Sequence, residues 1–273
     1  MIKWLEWVNI NKLALNVKKT QYMLFKGKKQ IANEQGIFVN NTQITKTDQA
    51  KFLGVIITDS LSWQSHIDYI SKKVSKSIGI LYRLSKFLNQ ATLISLYYSL
   101  IYPYIIYCNE VWGLGYATHR RKLFILQKRA LRIICKKPRR EHTDPLFKEH
   151  HILKLHDINS FLISTFMFKF YHKDLPNIFQ NMFIYNNEIY SHNTRQYSEL
   201  HVPLIRCELT KMSIRYAGVI IWNKTSKSLS LNCTIYTFKK KLKRSIIFGY
   251  KVNQQWSLIN IFLNWLNFLS MHF

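Results

Sequence analysis

Between positions 67 and 88 the apolar residues Ile67, Ile70, Val74, Ile78, Leu81, Leu84 and Leu88 recur at intervals of three and four. That spacing sets side chains in one stripe along a helix, about 100° per residue. On the same projection Lys72, Lys76, Arg83 and Lys86 fall together on the opposite side. A chain patterned this way must bury the stripe and leave the cations in water. The stretch therefore predicts a long helix, one face packed and the other a positive ridge.

The pattern returns between His119 and Cys135. There Leu123, Leu126, Ala130, Ile133 and Ile134 make an apolar face, Arg121, Lys128 and Arg132 line the reverse, and Pro138 closes the segment. Between the two, Asn89 is placed to cap a helix over Ala91–Tyr102. Its Leu93, Leu96, Leu100 and Ile101, joined by tyrosines, make it apolar nearly all round, which predicts burial, and Pro103 ends or kinks it. Before Trp63 the texture differs. After a short amphipathic helix over Trp4–Leu15, Lys18–Lys26 predicts a strand, and Ile37–Ile44 a hairpin turning at Asn40-Asn41. Lys51–Ile57 is a short β-forming run with Gly54 inside it, which marks a bulge or a close backbone approach. Beyond Cys135 the segment Lys136-Lys-Pro-Arg-Arg140 is a basic linker. Helical patches follow at Ile158–Tyr171 and Thr234–Phe248, with loops around Pro176, Pro203 and Asn223. The expected fold is α+β and mostly α: a small β-rich region over 1–57, helical regions over 58–137 and 138–250, and an apolar tail over 251–273. Asn260, Asn264 and Asn267 interrupt that tail, and a membrane span needs about 20 apolar residues, so no span is expected.

Forty Lys and Arg against fourteen Asp and Glu give a formal charge of +26. Such an excess repels itself and points to a polyanionic partner. With the cations on helical faces beside aromatic residues, nucleic acid is the first choice. A helical peripheral-membrane or protein-interaction module with basic amphipathic helices is the alternative. Cys108, Cys135, Cys207 and Cys233 lie far apart with no Cys-x-x-Cys pair, as do thiols left free in a reducing compartment. No apolar leader core opens the chain, since Glu6, Asn9 and Asn11 break it, so a nuclear or cytoplasmic rather than secreted location is expected. His142, His150, His151 and His156 lack the three- or four-residue pairing of a helical zinc site, and no metal is expected there. Neither a Gly-x-Ser-x-Gly elbow nor a glycine-rich phosphate loop occurs.

The segment from Lys51 to Ile67, followed by the basic helix, resembles the end of the palm and the start of the thumb in non-LTR (LINE-type, jockey-like) retrotransposon reverse transcriptases. The resemblance takes in Trp7, Asn11 and Leu15-Asn-Val-Lys-Lys-Thr20 upstream, then Leu96–Gly113 and Leu126–Ile134. Later echoes are His142-Thr-Asp-Pro-Leu-Phe147, Thr194-Arg195 and Ile221-Trp-Asn223. It implies that Lys51, Phe52 and Gly54 belong to a primer-grip-like hairpin. It also implies that Lys72, Lys76, Arg83, Lys86, Arg121, Lys128 and Arg132 follow a primer–template duplex or RNA–DNA hybrid by its phosphates. Polymerisation in that family uses two Mg²⁺ ions held by converging carboxylates. No two of the acids here are adjacent and no Tyr-x-Asp-Asp occurs. In the resembled enzymes that motif lies upstream of the segment matching Trp7–Thr20, with the rest of the polymerase. The expectation is a nucleic-acid-binding piece with no cofactor of its own, needing an upstream polymerase part.

Overall fold

The computed structural model describes residues 6–7, 10–13, 16–25, 36–39, 42–192 and 194–250. Half of the helix expected over Trp4–Leu15 falls outside them, and the apolar tail wholly so. The chain divides into two compact units, Met1–Asp68 and Tyr69–Phe273.

The first unit is built from short strands. A 3₁₀ turn over Val17–Lys19, capped by Asn16 Oδ1 accepting from Lys19 N at 3.2 Å, replaces the first half of the strand expected over Lys18–Lys26. What remains is β1 (Gln21–Tyr22). The predicted hairpin forms as β2 (Phe38–Val39) antiparallel to β3 (Thr42–Gln43), with Val39 and Ile44 buried. β4 (Thr45–Lys46) pairs with β1 in parallel. β5 (Gln49–Phe52) and β6 (Val55–Thr58) form the longest ladder, antiparallel, with Lys51 opposite Ile56 and Phe52 opposite Val55. Gly54 is not a bulge within a strand. It shares a two-residue turn with Leu53, and both have positive φ, 85° and 44°. Two left-handed positions give the turn that matches the twist of the flanking strands.

His66 fixes this hairpin: its Nδ1 accepts from Ile56 N at 3.3 Å, and the imidazole is buried. Burial lowers its pKa below the ordinary value. The unfolded chain then binds the proton more readily than the folded one, so stability is complete above about pH 6.5 and is lost as pH falls below it. Amide exchange at Ile56, corrected for its intrinsic pH dependence, is expected to quicken between pH 7 and pH 5 in the parent and to lose that dependence in His66→Asn. Equal pH dependence in both would show that the imidazole does not hold the strand.

The helices are α1 (Gln64–Leu84), α2 (Gln90–Leu100), α3 (Tyr102–Ile106), α4 (Asn109–Trp112) and α5 (Ala117–Ile134). They continue as α6 (Asp144–Glu149), α7 (Leu155–Tyr171), α8 (Asn186–Ile189), α9 (Glu208–Lys211), α10 (Val219–Ser228) and α11 (Ile235–Phe248). Asn89 caps α2 as predicted, accepting from Thr92 N at 2.9 Å. α2 is not buried all round. Leu93 and Tyr97 are inside, whereas Ser95, Tyr98 and Ser99 face solvent. Pro103 opens α3 rather than closing α2. Asn223, expected in a loop, lies within α10, which continues from a π-helical turn over Ile214–Gly218.

α7 is the hub of the second unit, with α4, α5, α10 and α11 packed around it. The core joins Ile163, Met167 and Phe168 of α7 to Trp222 of α10 and Phe238 of α11, the rings of Phe168 and Phe238 stacking at 4.2 Å. On the side toward α4, Asn159 Nδ2 donates to Asn109 Oδ1 at 3.0 Å and to Asn109 O at 3.1 Å. A Cβ on Gly113 would stand 2.4 Å from Asn109 O and 2.5 Å from Asn159 Nδ2, so only glycine permits the approach. The helices on either side of segment 136–140 belong to this one unit.

Candidate nucleic-acid interface

α1 carries the clearest candidate surface. Ile67, Ile70, Val74, Ile78 and Leu81 are buried, and Ser77 Oγ donates to Leu100 O at 2.9 Å, pinning the helix to the end of α2. The opposite side exposes Lys72, Lys76 and Arg83 in one line. Lys86 is also exposed, but the helix stops at Leu84 and the chain turns, so it stands beyond the ridge rather than on it. None of the four makes an ion pair or hydrogen bond among the described residues. Gly79 lies between Lys76 and Arg83 on the same face, with open space where a Cβ would be. The result is a low, smooth ledge with positive charges at its sides.

On α5 the burial differs from the reading of the sequence. The buried face is Leu123, Gln127, Ala130, Leu131 and Ile134, while Leu126 and Ile133 are only half-buried. Turning the helix toward Gln127 and Leu131 changes what the basic side presents. Arg121 is exposed. Lys128 is half-covered, its Nζ 4.6 Å above the Phe124 ring. Arg132 is half-buried, its Nε donating to Glu141 O at 2.8 Å, and so helps hold the segment after α5. Lys122 and Arg129, which the projection passed over, are exposed. The signal that would have found them is a buried glutamine, which sequence alone does not distinguish from a solvated one. Beside Arg121 a cavity of about 240 Å³ is lined by Arg120, Phe124, Leu155 and His156. Arg120 donates to Gly115 O at 3.0 Å, and burial lowers its guanidinium pKa.

In the first unit the β5–β6 hairpin presents Lys51 and Phe52 on exposed positions beside the Leu53-Gly54 turn, Phe52 being 62% exposed. A large aromatic ring exposed to that extent at a hairpin tip contributes little to packing and is open to a partner. The echo segments Thr194-Arg195 and Ile221-Trp-Asn223 meet around a second cavity of about 450 Å³. There Asn223 exchanges two hydrogen bonds with the backbone of Leu200, at 2.8 and 3.2 Å. Trp222 belongs to the core, so the Trp-Asn pair has a structural reason in this chain.

The helix expected over Thr234–Phe248 forms as α11, with a basic face that its sequence reading did not assign. α11 buries Phe238, Leu242 and Ile247 and exposes Lys239, Lys240, Lys241 and Arg244. The run Lys239-Lys-Lys-Leu-Lys-Arg244 was visible as charge, and the spacing of Phe238, Leu242 and Ile246 would have assigned it a face. Among the described residues no cluster of three or more His, Cys, Asp or Glu side chains is arranged to hold a metal ion, and no helix is long and apolar enough to cross a membrane.

Comparison with known proteins places a relationship beside this geometry. The chain is 26% identical over 136 residues to the RNA-directed DNA polymerase from mobile element jockey of Drosophila funebris. It is 23% identical over 133 residues to the probable RNA-directed DNA polymerase from transposon X-element of Drosophila melanogaster. The matches take in 49% and 47% of this chain but only 15% and 14% of those proteins. No family model and no solved structure matches the chain. The chain is thus related, over about half its length, to the RNA-directed DNA polymerases of non-LTR retrotransposons.

Proposed function

We propose that this chain, related to LINE-type RNA-directed DNA polymerases, binds primer–template nucleic acid through phosphate contacts and does not itself polymerise. The observation that carries the reading is the α1 ridge. Lys72, Lys76 and Arg83 stand exposed in line on the outer face of a packed helix, without acidic partners among the described residues, in a chain of charge +26. Charges held on a rigid element and directed outward fix the position of a duplex without reading its bases. The ledge at Gly79 lets a backbone come close between them. Lys86 and, on α5, Arg121 and Lys128 extend the contact, and Arg132 positions the end of α5. The β5–β6 hairpin supplies the primer-grip-like element, Lys51 giving charge, Phe52 a stacking surface and Gly54 the turn. The chain's acids include no adjacent pair that would hold the two Mg²⁺ ions of nucleotide addition.

The test is a salt titration of RNA–DNA hybrid binding by the parent and by the variant with Lys72, Lys76, Arg83 and Lys86 all changed to Gln. Each neutralised phosphate contributes about 0.7–0.9 to the slope of log affinity against log salt, so losing up to four shallows it by up to about 3. The thermal midpoint should hardly move, because exposed substitutions stay within about 0.5 kcal/mol each. The parent should extend no primer when given Mg²⁺ and deoxynucleotides. Unchanged affinity in the Gln variant would reduce the ridge to an ordinary solvated face, and primer extension that tracks the purified chain would overturn the non-polymerising half of the reading.

A further inference from the structure

The outer face of α11 differs from the ridge of α1 in one chemical respect. Tyr236, Lys240 and Arg244 fall at successive intervals of four, one above the other on a helix, over about 12 Å of its axis. Tyr236 is 73% exposed, and Lys240 and Arg244 are exposed. None of the three makes a hydrogen bond or ion pair among the described residues. α1 has Gly79 in line with its cations, whereas α11 has an aromatic ring in line with its own. A ring in that position gains nothing from a duplex, whose base faces are covered by stacking. It is suited to an unpaired strand, in which each base offers a free π-face while the neighbouring cations meet the phosphates.

We infer that the Tyr236–Lys240–Arg244 face of α11 is a separate surface for single-stranded nucleic acid. The inference rests on the nucleic-acid reading above and assigns the unpaired strand to a different helix from the duplex. A basic amphipathic helix can also lie on an anionic bilayer, but then its apolar face must be the one that enters the lipid. In α11 that face is already used: Phe238 is fully buried, Leu242 nearly so, and the helix packs on α7 and α6. What it leaves outside between Tyr236 and Arg244 is a ring and cations, which fits a polyanion carrying bases.

The experiment compares short fluorescein-labelled oligouridylate, RNA–DNA hybrid of the same length, and vesicles of phosphatidylcholine with phosphatidylserine, each titrated with the full chain. Variants are Tyr236→Ala, Tyr236→Phe, and Lys240→Gln with Arg244→Gln. Tyr236→Ala is expected to weaken oligouridylate binding by about tenfold, since one base–aromatic stack is commonly worth that much or more. It should leave hybrid binding unchanged, and Tyr236→Phe should restore the strand. The paired Gln variant should shallow the salt slope on the single strand by about 1.4. Equal loss on both nucleic acids, no loss with Tyr236→Ala, or failure of Phe to restore binding would overturn the assignment. So would a paired Gln variant that lost only vesicle binding. A parent that binds hybrid but not oligouridylate sinks this inference alone, whereas one that binds neither sinks the functional reading as well.

Discussion

Val74→Asp is expected to destabilise the packed helices steeply at neutral pH, while Ser75→Asp, one residue along, leaves their stability intact. Val74 is fully buried, midway along the stripe that runs from Ile67 to Leu81, whereas Ser75 is exposed. A carboxylate at Val74 would lose its hydration with no cation placed to receive it, because the lysines of α1 point the other way. A cost of about 4 kcal/mol or more is comparable to the 5–15 kcal/mol that stabilises a typical domain. The introduced carboxyl would escape part of that cost by taking up a proton, so its folded pKa would lie above the unfolded value. The penalty is therefore greatest well above pH 4 and shrinks as pH falls through the raised pKa. Urea midpoints for parent and variant, measured by far-ultraviolet circular dichroism at pH 8 and pH 5, should differ more at pH 8. A Val74→Asp midpoint equal to that of Ser75→Asp would mean that the stripe is not packed.

That contrast between neighbours was legible in the sequence because helical periodicity is a local property. The apolar stripe of α1 from Ile67 to Leu81, the opposed Lys72, Lys76 and Arg83, and the Asn89 cap depend on spacings of a few residues, and the structure has them; Leu84 is half-buried at the end of the helix and Leu88, expected in the stripe, lies beyond it. The ridge side chains Lys72, Lys76 and Arg83 came with the stripe, since fixing one face fixes the other. Lys86 did not follow, because where the helix ends depends on the turn at Ser85, which periodicity does not encode. The turn at Leu53-Gly54 was hidden for a different reason. A left-handed leucine is uncommon, so the local run reads as a strand carrying a glycine; the resemblance implied a hairpin there, and the pairing of Lys51 with Ile56 places its turn at Leu53-Gly54. On α2 the apolar composition overstated burial, as Tyr98 turns an amphipathic ring to solvent. Asn223 read as a loop residue because asparagine favours turns. In the fold its two hydrogen bonds to Leu200 keep it within a helix.

The most instructive miss concerns Gln127, and Gln127→Leu is the second large effect expected. Its side chain has no exposure at all. Nε2 donates to Tyr97 Oη at 3.0 Å and to Leu153 O at 2.9 Å, while Oε1 accepts from Leu155 N at 2.9 Å. One amide thus joins α5 to α2 and to the entry of α7. Leucine has nearly the same volume, so the substitution opens little cavity; what it removes is partners. The Leu155 N–H and the Leu153 carbonyl would be left buried and unpaired, at about 1–3 kcal/mol each, for a total of about 3–7 kcal/mol with the Tyr97 contact included. Burial already drives the Tyr97 phenol well above its ordinary pKa, so it stays neutral and offers its oxygen as an acceptor over the whole working range of pH. Tyr97→Phe removes only that acceptor and should cost about 1 kcal/mol, and the two changes together should cost less than their sum, because the Tyr97 contact is then counted once. The same amide governs the candidate interface. By drawing Gln127 inward, the fold turns Lys122 and Arg129 out and leaves Arg132 half-covered. A Gln127→Leu protein with the parent's thermal midpoint would show that these bonds hold nothing, and the orientation of the α5 cations would then need another cause.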